Sequence, residues 1–145
     1  MGVLCDYFSA KDDTLAGAVI DRVGGPGSDA VSAKGIDPAV MMGTLESLTT
    51  GAPYEQVANY PRSGHAVAER DGGERLVVAL TDSLHAALVA ADAKQLHAVA
   101  KPWCDTEEFW GQGEPAAVAT FLVDLAALAR RAKERGERLY CWVCV

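Results

Sequence analysis

The apolar positions fall into runs of distinct period, and the longest run lies near the end of the chain. Val118, Phe121, Leu122, Leu125, Leu128, Ala129 and Ala132 recur at helical spacing. They form one core-facing stripe, which predicts a helix that starts near Glu114-Pro115 and ends before Gly136. Beyond Gly136 the chain reads Leu139-Tyr140-Cys141-Trp142-Val143-Cys144-Val145, apolar on both alternating faces. Such a run predicts a strand inside a sheet instead of at its edge. Residues 3–8 predict a second strand. Ser9-Ala10-Lys11-Asp12 then signals the cap of a helix over about residues 10–23, with Leu15, Ala18, Val19 and Val23 on its apolar face.

The middle of the chain is punctuated by glycine and proline. Residues 24–36 carry Gly24-Gly25-Pro26-Gly27-Ser28 and predict a flexible loop. Asp37-Pro38 is a helix start, an acceptor for the first free amides followed by a residue that has no N–H to satisfy. Val40, Met41, Thr44, Leu45 and Leu48 give that helix its spacing up to Gly51, and a shorter helix with Tyr54 and Val57 runs from Pro53 to Pro61. From residue 65 to 80 the period changes. Ala66-Val67-Ala68 and Leu76-Val77-Val78-Ala79-Leu80 flank an Asp71-Gly72 step, which predicts a hairpin. Thr81-Asp82-Ser83 caps a helix reaching about residue 91, with Leu84, Leu88 and Ala91 on one face, and a further helix over about 93–100 is expected to stop at Pro102.

These elements predict one α+β domain over residues 1–145, with several helices packed on a small sheet that includes the N- and C-terminal strands. The length suits a single core without disulfides or a structural metal. Half of the residues are hydrophobic, but 25 are alanine, concentrated in the helices, so the large apolar residues mark the strands and one Trp-rich segment. The formal charge of −7 is also uneven, net −10 over residues 1–129 and net +3 over 130–145. An acidic body repels phosphate backbones, so no nucleic-acid partner is expected, and the basic end suits the negative end of a helix dipole. No apolar run approaches the roughly 20 residues of a membrane span, and the first residues lack a signal-peptide pattern, so the expectation is a cytoplasmic protein with no membrane partner.

Candidate chemistry is sparse. Cys141-Trp142-Val143-Cys144 has the spacing of a zinc knuckle or a redox dithiol. On a strand, however, residues three apart point to opposite faces, and no helix follows to activate a thiolate, so neither a metal nor another cofactor is called for. Cys5 and Cys104 could meet the C-terminal cysteines if the first and last strands pair. His65, His85 and His97 lack a ligand spacing that shares one helix face. The unusual stretch is Trp103-Cys104-Asp105-Thr106-Glu107-Glu108-Phe109-Trp110, which holds three aromatics and three carboxylates. Aromatic walls with a few acids suit a polar or cationic ligand, whereas the plainer reading is a short capped helix whose aromatics anchor a connection to the core.

The Met-Gly start running into Tyr7-Phe8, the tryptophan before the last helix, and the Leu125-x-x-Leu128-Ala129-x-x-Ala132 pattern followed by Gly136 and a closing strand resemble the uncharacterised bacterial YfbM-like family. That resemblance rests on the two chain ends. It implies a small cytoplasmic α+β domain without an assigned activity, and so carries no catalytic residue across.

With no complete catalytic constellation, the expected function is a non-enzymatic binding or protein-interaction module whose partner, a protein or a small molecule, is unidentified. The alternative is a small-molecule-binding protein or enzyme with a site between residues 103–110 and the terminal strands. Candidate contact residues are Trp103, Glu107, Trp110, Tyr7, His65 and Cys5.

Overall fold

The computed structural model describes residues 3–27 and 29–145. In chain order the elements are β1 (Leu4–Ala10), α1 (Asp13–Ala18) continued by a 3-10 turn (Val19–Asp21), β2 (Val31–Lys34), α2 (Val40–Thr50), α3 (Tyr54–Ala58), β3 (Ala66–Arg70), β4 (Arg75–Ala79), α4 (Asp82–Ala90), α5 (Ala93–Cys104), α6 (Pro115–Arg135) and β5 (Arg138–Cys144). The five strands form one antiparallel sheet in the order β2-β1-β5-β4-β3. The domain is α+β, and both terminal strands lie in the sheet. β5 lies at its centre, paired with β1 on one side and β4 on the other, as its two apolar faces require.

Strand alternation sends side chains to two unequal cores. Cys5, Tyr7, Val78, Leu139, Cys141 and Val143 face the larger one, where α6 contributes its whole predicted stripe and α2, α4 and α5 close the layer. Phe8, Val77, Ala79 and Tyr140 face the smaller one, covered by Ala16, Val19 and Ile20 of α1 and its 3-10 turn. The C-terminal Gly136 of α6 takes a left-handed conformation (φ 67°), which glycine adopts without a Cβ clash and which turns the chain directly into β5.

Three expectations need correction. The helix expected over residues 10–23 is short: β1 continues through Ala10, Asp12 caps α1 by accepting from the Leu15 amide, and the chain tightens into a 3-10 turn at Val19. Its buried face is therefore Ala16, Val19 and Ile20, while Leu15, Ala18 and Val23 of the expected face are exposed. The loop expected over 24–36 contains β2, because the unpaired edge of β1 supplies hydrogen-bond partners that outweigh weak local strand propensity. Ser28, part of that expectation, lies outside the described residues. Finally, α5 does not stop at Pro102 but runs through it to Cys104. The carbonyl that Pro102 cannot bond belongs to Ala98, which is exposed to water, and buried Trp103 and Cys104 hold the last turn down.

Candidate functional site

The six candidate residues lie in three places. Trp103 is fully buried at the end of α5, with its indole N–H donating to the Met41 carbonyl at 3.0 Å and its ring edge-on to Phe109 at 5.1 Å. Tyr7 is also fully buried: its hydroxyl donates to the Ile36 carbonyl at 2.6 Å and its ring tilts against Phe121 at 5.5 Å. Cys5 lies on the same sheet face, diagonal to Cys141, since Cys5 is opposite Val143 and Tyr7 is opposite Cys141. Burial pushes the Cys141 thiol well above its ordinary pKa, which keeps it neutral. Cys144 points to the other face, so the C-x-x-C pair is split by the strand. Among the described residues, no three His, Cys, Asp or Glu side chains gather as a potential metal site.

Glu107 and Trp110 are at the surface. After α5 the chain makes one 3-10 turn over Glu107–Phe109, and Trp110 closes it with its amide bonded to the Glu107 carbonyl at 2.9 Å. Trp110 is left-handed (φ 54°), and its side chain is 85% exposed. This combination is unusual for a bulky residue, since the left-handed conformation costs an L-residue roughly 1–2 kcal/mol and no burial offsets it. The return path is fixed by Gly113, where a Cβ would come within 2.9 Å of the Phe109 ring and 3.0 Å of the Cys104 sulfur. Only a glycine lets the segment double back over the end of α5.

Trp110 stands on the crest between two open grooves. One, of about 530 Å3, runs between β2 and the first turns of α6, with Ile36, Met41, Phe109, Val118 and Phe121 among its apolar lining. The other, of about 680 Å3, is bordered by Val40, Asp105, Thr106, Glu107 and Glu108. Glu108 lines both and is anchored by the Thr44 hydroxyl at 2.5 Å, the main cause of its lowered pKa. It therefore stays ionised at neutral pH. Trp103 and Tyr7 do not reach the groove surface but hold it from behind: Trp103 fixes Met41 and Phe109, and Tyr7 fixes Ile36 and Phe121. Aromatic and acidic density marks the segment that holds Glu108, although Glu108 is not among the candidate contacts, whereas Ile36 and Phe121 carry no such signal, because β2 and α6 meet that segment only through the tertiary fold.

His65 is elsewhere. It is exposed just before β3, near a polar cluster on the opposite side of the sheet. There Arg62 makes a two-pronged contact with Asp13 at 3.1 and 3.3 Å, the Tyr140 hydroxyl donates to Asp13 at 2.7 Å, and the guanidinium lies 5.7 Å from the Tyr140 ring centre. Arg62, then Tyr140, holds the Asp13 carboxyl below its ordinary pKa. Burial, reinforced by the bond to Asp13, pushes the Tyr140 phenol up to about 12. The unfolded chain then ionises this tyrosine near pH ~10 while the folded one keeps it neutral, so its contribution to stability is present below pH ~10 and is lost as the pH climbs to about 12. Tyr7, also raised by burial, adds to the same slope. Urea midpoints measured from pH 9 to 12 are expected to fall, and Tyr140→Phe is expected to flatten that fall without abolishing it.

Comparison with known proteins gave no matching family model, no matching curated protein and no matching solved structure.

Proposed function

We propose that the chain is a non-enzymatic binding module whose partner surface is the acidic crest around Trp110. The observation that carries this reading is Trp110 itself, a large aromatic held in water, in a backbone conformation that costs stability, between two grooves and beside Glu107 and Glu108. Tryptophan is enriched among the residues that dominate interface energetics, and carboxylates around an aromatic face favour cationic groups. Trp103, buried and hydrogen-bonded, supports the crest without being part of the contact. Membership of the YfbM-like family and a cytoplasmic setting are compatible with this role and name no partner.

A photo-crosslinking residue placed at position 110 in the cell is expected to yield discrete adducts that a second change, Glu108→Lys, diminishes. The same crosslinker at fully exposed Val23 serves as the control. Equal adduct patterns at both positions would sink the reading. The groove along β2 also has the volume of small-molecule sites, which supports a second reading as a metabolite receptor. That reading is favoured if position 110 gives no protein adduct while a metabolite raises the thermal midpoint by several degrees and quenches Trp110 emission.

A further inference from the structure

β2 is an edge strand whose free side opens onto the groove below Trp110. The register fixes which of its backbone groups are free. Gly35 donates to the Val3 carbonyl and the two residues are directly opposite, so the pairs Gly35/Val3, Ala33/Cys5 and Val31/Tyr7 use their N–H and C=O groups toward β1. The alternate residues, Ser32 and Lys34, therefore direct their amides and carbonyls outward. Among the described residues those groups have no partner. The other edge is blunted. β3 carries a register shift between Ala66 and Ala68, and its charged end is tied down by the Arg70–Asp21 ion pair. β2 has a regular register and only Lys34 as a charged guard.

Resting on the reading of Trp110 as a contact residue, we infer that β2 accepts an extended, arginine- or lysine-bearing segment of a partner protein as a sixth strand of the sheet. Strand addition satisfies the four outward groups of Ser32 and Lys34, and every second side chain of the added strand then points to the helix side, into the groove. The groove matches an amphipathic cation. Ile36, Val118 and Phe121 receive an aliphatic stem, Glu108 and Glu114 lie at the rim for its charged head, and Trp110 offers its ring face. An acidic segment would meet these carboxylates and the net charge of −7 and be repelled.

The test uses an eight-residue peptide alternating arginine and threonine, titrated against the full chain. Trp110 emission and the amide signals of Ser32 and Lys34 are the readouts. Saturable binding is expected, weakened at least tenfold when the arginines become glutamates and when alternate peptide nitrogens facing β2 are methylated. Lys34→Pro removes one outward N–H and no bond to β1, and edge strands tolerate proline, so it is expected to keep the thermal midpoint and lose binding at least tenfold. Lys34→Ala, which keeps the N–H and removes a like charge, is expected to bind at least as tightly as the native chain. If Lys34→Pro does not fold, the methylated peptides decide. Binding that survives methylation but vanishes in Trp110→Ala overturns strand addition and leaves the Trp110 reading standing. No binding at millimolar peptide, with discrete adducts at position 110 in the cell, overturns the cationic occupant alone. Sedimentation as a dimer that Lys34→Pro dissociates would assign the edge to a second copy of this chain and overturn a partner peptide.

Discussion

Trp103→Ala is expected to lower the free energy of unfolding by about 4 kcal/mol, in the range for deleting a buried indole from a core. For a domain of this size that is a large part of a total of roughly 5–15 kcal/mol. Trp103 has no exposed surface, packs edge-on against Phe109, and ties the end of α5 to the first turn of α2 through the Met41 carbonyl. Its loss leaves a cavity between helices that α6 cannot fill, because the Gly113 backbone already sits against Cys104 and Phe109. Trp103→Phe separates the two contributions. It keeps most of the apolar volume and loses the N–H donor, so it is expected to cost about 1–2 kcal/mol. Urea unfolding followed by circular dichroism checks both. An alanine variant within 1 kcal/mol of the native chain would mean that Trp103 does not hold the core together.

The second large effect is expected at Glu46, a buried acid on α2 that no local pattern in the sequence marks. Only 1% of its surface is exposed, and its two carboxylate oxygens accept from the hydroxyls of Thr81 and Ser83. Thr81 is at the same time the N-cap of α4, where its hydroxyl oxygen accepts from the Leu84 amide at 3.1 Å. Glu46 thus orients the cap, and it lies near the positive end of the α4 dipole. Glu46→Ala removes both acceptors and strands the buried Thr81 hydroxyl, and is expected to cost about 3 kcal/mol. Glu46→Gln retains one acceptor oxygen and is expected to lose about half as much. Equal losses in the two variants, read from urea midpoints, would show that side-chain volume matters there and the hydrogen bonds do not.

The elements that were legible in the sequence are those whose signal is local. The α6 stripe from Val118 to Ala132, its proline start and its glycine stop need no tertiary information. The hairpin is legible too, although its connection is longer than a two-residue turn: Arg70 pairs with Arg75, and Asp71, Gly72 and Gly73 between them all take positive φ values, which the two glycines adopt freely. Asp37 is the acceptor expected near a helix start, bonding the amides of Ala39 and Val40 at 2.9 and 2.7 Å, but Pro38 is not the first helical residue, since α2 begins at Val40. β2 was not legible, because Val31-Ser32-Ala33-Lys34 has one large apolar residue and becomes a strand only when β1 pairs with it. Pro102 misled for the opposite reason: a strong local stop signal was overridden by the burial of the two residues after it.

The candidate site divides along the same line. Aromatic and acidic density marked residues 103–110, but composition could not distinguish the tryptophan turned into the core from the one turned out to water. That difference arises from the 3-10 turn and from Gly113, which together reverse the chain between Trp103 and α6. Tyr7 and His65 carry no sequence signal that separates them. One supports the groove through Ile36 and Phe121, and the other lies near Asp13 on the far side of the sheet.

If Trp110 is present for a partner and against the interest of the fold, replacing it by the residue its backbone conformation favours should make the isolated chain more stable. The most direct measurement is the urea unfolding free energy of Trp110→Gly beside that of the native chain. A gain of about 1 kcal/mol is expected, since glycine relieves the left-handed strain and almost no buried surface is lost. A loss of more than about 1 kcal/mol would show that the tryptophan serves the fold, and would contradict its assignment to a binding surface.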